Sequence, residues 1–225
     1  MCGFGIDKHP SKDSWELDVS GCGDLGGIME ARDEFKSLQV LNLDDNELEE
    51  LPAWLGGGEM GVLKELRARG NRLQEAEVVK NLLEASGNGT SGVLELVDLG
   101  DNDIAHVSYE LMDVESKGTR LLLDGNPVAA EVDWSGLAVE RLPARMVESG
   151  YDNGAWNSSL KVLKLAHNRF QKSVFGDLAA ANFSAIEELD VSWNRLGGLP
   201  EGGLGAFAGL RKLDVSGHNE TISAK

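Results

Sequence analysis

The stretch Leu38-Gln-Val-Leu41-Asn-Leu43-Asp-Asp-Asn46-Glu-Leu48 decides the fold, because the chain repeats it. The clearest second copy is Leu160-Lys-Val-Leu163-Lys-Leu165-Ala-His-Asn168-Arg-Phe170. Further copies end at an asparagine or at a residue in its place: Cys22, Asn71, Asn102, Asn126, Asn194 and His218. Self-similarity at a period of roughly 20–50 residues is typical of repeat architectures, in which each unit buries the apolar edge of its neighbour.

Each copy alternates apolar and polar residues before its asparagine. When the asparagine is counted as position nine, positions four and six are apolar in every copy and position five is mostly polar. The position-four residues are Leu17, Leu41, Leu66, Val97, Leu121, Leu163, Leu189 and Leu213. This alternation predicts short parallel strands with one buried face. A carboxamide carries a donor and an acceptor, so the asparagines are expected to bridge successive turns as a ladder.

The repeated phrase resembles the leucine-rich repeat, L-x-x-L-x-L-x-x-N/C-x-L, over nearly the whole chain. The resemblance implies an α/β fold: a curved solenoid with a parallel sheet on its concave face and short helices and turns on its convex face. We expect one domain over residues 1–225 with about eight repeats, of mixed L-P and helix-backed cytosolic subtypes. The sequence leaves open that the chain is a fragment of a longer repeat protein.

The intervals between position-nine residues locate the convex elements and one irregularity. They are 24, 25, 31, 24, 42, 26 and 24 residues. Apolar pairs within Val78–Leu83 predict a helix in the 31-residue unit. The three Leu-Pro pairs, Leu51-Pro52, Leu142-Pro143 and Leu199-Pro200, predict extended segments or short helical turns.

The 42-residue interval contains Val132-Asp-Trp134-Ser-Gly136, a phrase similar to Leu213–Gly217. It follows Asn126 too closely for a full turn, so either Gly118–Val128 or Val132–Leu137 is expected to leave the regular sheet. The unit around 127–159 is therefore predicted to be irregular, with Ser149–Ser159 as an exposed loop.

The charge of the chain argues against some partners. The formal net charge is −17, from 38 acidic and 21 basic residues. That sign opposes nucleic acid, whose binding relies on clustered Lys and Arg, and it opposes an anionic membrane surface. The sequence contains no 18-residue apolar run, so membrane insertion is not expected. Little apolar sequence follows Val215, which suggests self-association through an uncapped carboxyl end.

The compartment has two interpretations. The N-terminus does not resemble a signal peptide, and paired cysteine caps are lacking, which favours the cytoplasm. An extracellular location is the alternative, because four glycosylation sequons occur, at Asn88, Asn157, Asn182 and Asn219. A disulfide between Cys2 and Cys22 would fit that alternative.

An enzyme is not expected. Gly21-Cys-Gly23-Asp-Leu-Gly26 matches the dinucleotide-binding pattern G-x-G-x-x-G, and a helix over Ile28–Phe35 would complete the unit. However, Glu16 and Asp18 lie within the preceding strand, where a strand covered on both faces would be apolar. A nucleotide-binding enzyme is therefore a remote alternative. No catalytic, metal-binding or cofactor-binding residue is predicted.

The predicted binding residues lie in the second half. Positions two, three, five, seven and eight point outward from the sheet, and position eight places His167 beside Trp193. An aromatic anchor ringed by polar groups is typical of an interface hot spot. The ring of polar candidates is Lys161, Lys164, Glu187, Asp190 and Arg211. The alternative is that Trp193 packs over its own turn.

The first half mixes charges instead, with Asp44 beside Arg69 and Arg67 beside Asp98, and mutual pairing is expected there. The predicted function is a non-enzymatic scaffold in signalling that binds a protein or peptide on its concave face. The alternative is the ligand-binding ectodomain of a surface receptor.

Overall fold

The structure is a computed structural model, and it describes residues 15–23, 25–26, 37–57, 60–86, 94–113, 118–127, 130–147, 159–200 and 203–218. It contains two compact units, Met1–Pro127 and Val128–Lys225. Several predictions fall outside the described residues: the helix over Ile28–Phe35, the sequons at Asn88, Asn157 and Asn219, and all of the Ser149–Ser159 loop except Ser159.

The first unit contains a five-stranded parallel sheet. Its strands are β1 (Glu16–Asp18), β2 (Val40–Asn42), β3 (Glu65–Arg67), β4 (Leu96–Asp98) and β5 (Arg120–Leu122), and each pairs with the next in chain order. The register aligns the central residues of the strands: Leu17, Leu41, Leu66, Val97 and Leu121. These are the position-four residues of the repeat, so the predicted register is confirmed.

The second unit contains a four-stranded parallel sheet built in the same way. Its strands are β6 (Glu131–Asp133), β7 (Val162–Lys164), β8 (Glu188–Asp190) and β9 (Lys212–Asp214). Val132, Leu163, Leu189 and Leu213 align across it. The predicted α/β repeat fold with parallel strands is therefore confirmed.

The strands bury the apolar positions of the repeat. Every position-four and position-six side chain from Leu17 to Val191 is buried, and most are completely so. Burying one such side chain stabilises the fold by roughly 1.5–3 kcal/mol, so the two columns account for much of the core. The last strand differs, because Leu213 and Val215 are only half-buried.

Short helices return the chain behind the strands. The first unit has a 3₁₀ helix at Ala53–Gly57, α1 at Glu77–Ser86 and α2 at Tyr109–Met112, and the second has α3 at Ala144–Val147 and α4 at Ser173–Ala180. The helix predicted for the 31-residue unit is α1, in which Val79 and Leu82 are buried. The 3₁₀ helix and α3 directly follow Pro52 and Pro143, as proline at a helix start allows.

The 42-residue interval includes strands of both sheets. Residues 118–127 contain β5, the last strand of the first sheet, and Val132–Leu137 includes the end of β6, the first strand of the second sheet. Leu137 occupies the asparagine position of the β6 repeat and is 40% exposed. A leucine has no polar group with which to continue the ladder, so the ladder is interrupted at this repeat.

The asparagine ladder is present in both units. Nδ2 of Asn102 donates to the carbonyl of Leu99 in its own repeat (3.0 Å) and to that of Ala68 in the preceding repeat (2.9 Å). Its Oδ1 accepts the backbone N–H of Leu73, also from the preceding repeat (3.0 Å). Equivalent bonds are made by Asn46, Asn71, Asn126, Asn168 and Asn194. The ladder thus satisfies backbone groups that burial removes from water.

The terminal residues of the ladder also have partners. Nδ1 of His218 lies 2.7 Å from the carbonyl of Asn194, so it acts as a donor in place of a carboxamide. Cys22 forms a disulfide, and Cys2 is the only other cysteine of the sequence but lies outside the described residues. Within the described ranges, no helix has the length and apolar character needed to cross a membrane.

Candidate functional site

The residue at position eight of each repeat, just before the asparagine or the residue in its place, adopts an unusual backbone conformation. All nine position-eight residues have a positive φ, between 49° and 77°. They are Gly21, Asp45, Gly70, Asp101, Gly125, Gly136, His167, Trp193 and Gly217. Glycine suits this left-handed conformation, and any other residue costs roughly 1–2 kcal/mol there. A tryptophan at φ 53° is therefore unusual, and such strain is concentrated at functional sites.

Trp193 and His167 form an exposed aromatic pair on the second unit. Their rings are stacked, with centroids 5.4 Å apart and planes 7° from parallel. The indole also lies against Gly217, where an added β-carbon would stand 2.4 Å from Cδ2 of Trp193. Trp193 thus packs over the turn of the following repeat rather than over its own. It nevertheless remains 56% exposed, which leaves much of its ring available to a partner.

The predicted cations around this pair are held in ion pairs. Glu187 lies between Lys161 (3.4 Å) and Arg211 (3.1 Å), all at position two of adjacent repeats. Lys164 pairs with Glu131, and this bond raises the pKa of the lysine. Lys212 likewise pairs with Glu188 (2.9 Å). The four cations and Glu187 therefore form a polar border held in place by neighbouring strands.

Asp190 has a structural role that the sequence reasoning missed. Its Oδ1 accepts the backbone N–H of Ser192 (2.9 Å) and so caps the turn after β8. The same bond to position seven is made by Asp18, Asn42, Asp98, Asp133 and Asp214. An Asp or Asn followed by a turn is a recognisable signal for this cap. The hydrogen bond from Ser216 lowers the pKa of Asp214, which keeps that carboxylate ionised.

A second cluster, around Arg69 in the first unit, was also not predicted. Its guanidinium bonds to Asp98 through Nε (3.3 Å), to Asp124 through Nη2 (2.7 Å) and to Asp101 through Nη1. These bonds, that to Asp124 foremost, raise the pKa of Arg69. Space for the guanidinium exists because Gly100 has no side chain: a β-carbon there would stand 2.4 Å from Cζ of Arg69. Arg69 therefore neutralises charge across three repeats.

The expected charge pairing in the first half was wrong in detail. The carboxylate of Asp44 accepts the backbone N–H of Arg69 (2.7 Å), while the guanidinium extends to later strands. Arg67 pairs with Glu65 of its own strand (2.8 Å) rather than with Asp98. Arg69 is long enough to reach beyond its register neighbour, whereas Arg67 turns back to a carboxylate two residues earlier on its own strand.

The G-x-G-x-x-G segment belongs to the repeat. The N–H of Gly21 donates to the carbonyl of Asp44 (2.9 Å), and that of Gly23 donates to Oδ1 of Asn46 (2.8 Å). These are the backbone donors that a bound phosphate would need. Among the residues that the structure describes, no group of three or more His, Cys, Asp or Glu side chains could hold a metal ion.

Comparison with known proteins is consistent with this geometry. The Leucine Rich Repeat family model matches residues 37–57, the segment that contains β2 and Asn46. No curated protein sequence matches the chain.

Several solved structures are similar. An internalin from Listeria monocytogenes is 18% identical, with coverage of 91% of this chain and 48% of that one, at a TM-score of 0.37. Internalin C2 of the same organism is 18% identical, with coverage of 92% of this chain and 74% of that one, at a TM-score of 0.40. A chain of the Drosophila Toll–Spatzle complex is 22% identical, with coverage of 85% of this chain and 24% of that one, at a TM-score of 0.33. The chain thus spans about half the length of the first internalin.

Leucine-rich repeats are commonly protein–protein interaction modules, and they present extended surfaces to their partners. In this chain, a repeat matched by the family model is followed by further strands in the same register. Buried asparagines bridge successive repeats in both units. The chain thus contains a leucine-rich repeat at residues 37–57, and the strands and buried asparagines of both units repeat its pattern.

Proposed function

We propose that the second unit binds a protein or peptide on the outward face of β6–β9, without catalysing a reaction, as a scaffold in signalling. Trp193 is the anchor and His167 supports its ring. One observation carries the proposal: the bulky Trp193 is held exposed at a position where five other repeats have glycine. The rest of the fold offsets the backbone strain at Trp193, and a role in binding would explain why a strained, exposed tryptophan occupies this position.

The surroundings of Trp193 fit an interface anchor. Hot spots favour tryptophan inside a border that excludes water, and border contacts themselves contribute little. Here the border consists of Lys161, Glu187 and Arg211 at position two, Lys212 at position three and Lys164 at position five. Because these side chains are already paired, they would lose little conformational freedom when a partner docks.

Glycine substitutions test the anchor without disturbing the turn. We expect Trp193→Gly to remove the ring and relieve the backbone strain, so the variant should fold and lose its partner. His167→Gly should weaken the same partner less. Asp45→Gly is the matched control, because Asp45 is an exposed position-eight residue of the first unit with φ 55°.

The measurement is crosslinked affinity capture with the full chain as bait, followed by mass spectrometry. A partner captured by the wild-type chain and by Asp45→Gly, but not by Trp193→Gly, supports the proposal. If all three baits capture the same proteins, the proposed anchor is wrong.

The second candidate is an extracellular recognition domain, and the disulfide of Cys22 favours it. Disulfides persist in oxidising compartments, whereas the sequence-based expectation of a cytoplasmic protein implies reduced thiols. Asn182 is an exposed sequon residue with φ 59°, just beyond α4, where asparagine also serves to end a helix. Intact mass of the chain from its natural source decides between them. The extracellular form is supported if the chain carries glycan mass that Asn182→Gln reduces and if no thiol can be alkylated. Two free thiols and no glycan would contradict it.

A further inference from the structure

We propose that β9 pairs with β9 of a second copy of this chain, as antiparallel strands centred on Leu213. The proposal does not depend on the Trp193 anchor, because it concerns the edge of the second sheet and not its outward face. Three observations carry it: an apolar strip that remains half exposed, backbone groups without partners, and charges that match when the strand meets itself.

The apolar residues of the β9 repeat are less buried than their equivalents. Positions one, four and six of the β8 repeat are at most 1% exposed. The residues at the same positions of the β9 repeat are only half-buried: Leu210, Leu213 and Val215. Because apolar area is stabilised when it leaves water, a partner that covers this strip gains free energy.

The open edge of β9 also carries backbone groups without partners. In the β8 repeat, the N–H of Val191 donates to the following repeat at 2.9 Å, and the carbonyl of Glu187 accepts two N–H groups from it, at 2.8 and 3.0 Å. The equivalent groups on β9 are the N–H of Val215 and the carbonyl of Arg211. Neither has a hydrogen-bond partner within the described residues. An edge with such groups is a template for pairing with another strand.

The surface that matches this edge is the same edge of a second copy. The alternative within the chain is β1, the strand at the far edge of the first sheet, but its Leu17 and Val19 are already buried, at 4% and 0% exposed. A head-to-tail contact with β1 would therefore leave the apolar strip of β9 without an apolar counterpart. A contact that pairs the strip with itself is isologous, and its two-fold axis makes the two β9 strands antiparallel.

Charge selects one register for that pairing. When Leu213 faces Leu213 of the second copy, Lys212 of each copy lies opposite Asp214 of the other, and two pairs of opposite charges form. A shift by two residues would place Asp214 opposite Asp214, or Lys212 opposite Lys212, and like charges directly opposite are destabilising. In the favoured register, the N–H of Val215 faces the carbonyl of Arg211, so the unpartnered backbone groups meet.

Both charged side chains can form this additional contact. Lys212 is 71% exposed and pairs with Glu188 (2.9 Å), which occupies one of the three donors of its ammonium group. Asp214 uses Oδ1 to accept the N–H of Ser216 (2.9 Å), and a carboxylate has acceptor sites beyond that one bond. The pairing therefore adds ion pairs without breaking the contacts that are present.

Sedimentation equilibrium of the full chain, from low to high micromolar concentration, tests the charge pairing. We expect the wild type to form a reversible dimer. Lys212→Asp and Asp214→Lys each place like charges opposite each other, so each should weaken the dimer about tenfold or more. The double variant with both changes restores opposite charges and should recover the dimer to within about threefold. Lys64→Asp is the matched control, because Lys64 is also an exposed lysine paired with a glutamate, but lies in the first unit.

Val215→Pro tests the backbone groups independently. Proline is tolerated on an edge strand whose N–H faces away from the sheet, so the variant should keep its circular dichroism spectrum and become monomeric. A wild-type chain that stays monomeric over the whole concentration range would overturn the proposal, as would a Val215→Pro dimer as tight as that of the wild type. If the double charge variant dimerises no better than the single ones, the antiparallel register is wrong.

Discussion

The indole of Trp193 lies where a side chain at position 217 would have to begin. A β-carbon on Gly217 would stand 2.4 Å from Cδ2, 2.5 Å from Cε2 and 2.7 Å from Cγ of the indole. Because Gly217 has no side chain, it leaves the space that the indole of Trp193, from the preceding repeat, occupies. Asp45 lies over Gly70 and Asp101 over Gly125 in the same manner.

Gly217→Ala is therefore expected to displace the indole. Gly136→Ala is the control, since both glycines have φ 75° and no atom lies within 4 Å of a β-carbon at Gly136. Both variants should lose roughly 1 kcal/mol from left-handed strain. Only Gly217→Ala should lose further free energy of unfolding beyond this strain and shift the tryptophan fluorescence. Urea unfolding and emission spectra measure this, and identical results for the two variants would contradict the contact.

Arg69→Met should destabilise the first unit more than Arg67→Met does. Arg69 neutralises three aspartates from two later repeats, whereas Arg67 holds one exposed pair with Glu65. Such an exposed pair contributes roughly 0–1 kcal/mol. High salt should reduce the loss in Arg69→Met, because it screens the repulsion that remains among the aspartates. Equal losses, or a loss unchanged by salt, would argue against a charge-neutralising role.

Asn102→Ala should be severely destabilising. It leaves the buried N–H of Leu73 without its acceptor. It also removes one of two carboxamide donors from the carbonyls of Ala68 and Leu99, which keep only those of Asn71 and Asn126. Each unsatisfied buried group costs roughly 1–3 kcal/mol. Asn42→Ala is the control, because Asn42 is half-buried and its Oδ1 caps the N–H of Asp44 outside the ladder. A loss in denaturant unfolding that is no larger than that of Asn42→Ala would show that the ladder is not a major source of stability.

Asp44→Asn should stabilise the protein at neutral pH. Burial raises the pKa of Asp44, and this rise exceeds the lowering caused by the hydrogen bond from the N–H of Arg69. Repulsion from Asp98 and Asp45 raises the pKa further. Its ionised form therefore opposes folding, and the advantage of the variant should shrink as pH falls through that raised pKa.

The pKa of Asp18 is shifted in the opposite direction from that of Asp44. The hydrogen bonds from Ser20 lower its pKa, so its contribution is present above the unfolded value of about 4 and is lost as pH falls through the lower folded value. Asp18→Asn should therefore flatten the acid side of the stability curve. Unfolding midpoints measured across pH 2 to 7 would test both aspartates, and parallel curves for the two variants would contradict these signs.

The sequence allowed much of the fold to be predicted because one local rule applies in every repeat. Asn102 and four of its five equivalents are buried where the phrase predicts them, Asn126 is half-buried, and the same register places Trp193 outward. Helix α4 was missed although Val174 and Leu178, four residues apart, are both buried on it. That spacing could have revealed the helix.

Other features depend on tertiary contacts that a repeat pattern does not encode. The reach of Arg69 depends on the missing side chain of Gly100, one repeat further on. The use of Asp190 as a turn cap depends on a side-chain rotation, whereas the register gives only the face on which the residue lies. The single domain over 1–225, the compartment and the partner remain predictions.

The asparagine ladder has a direction. Asn46 donates to Val19 and accepts from Gly23, Asn71 reaches back to Leu43, and Asn194 reaches back to Leu165. Each repeat is thus completed by the one that follows it in sequence. A ribosome makes the earlier repeat first, so that repeat must wait about two dozen residues of further synthesis before its last backbone groups find partners. During translation, the most recently folded repeat is always the unfinished one.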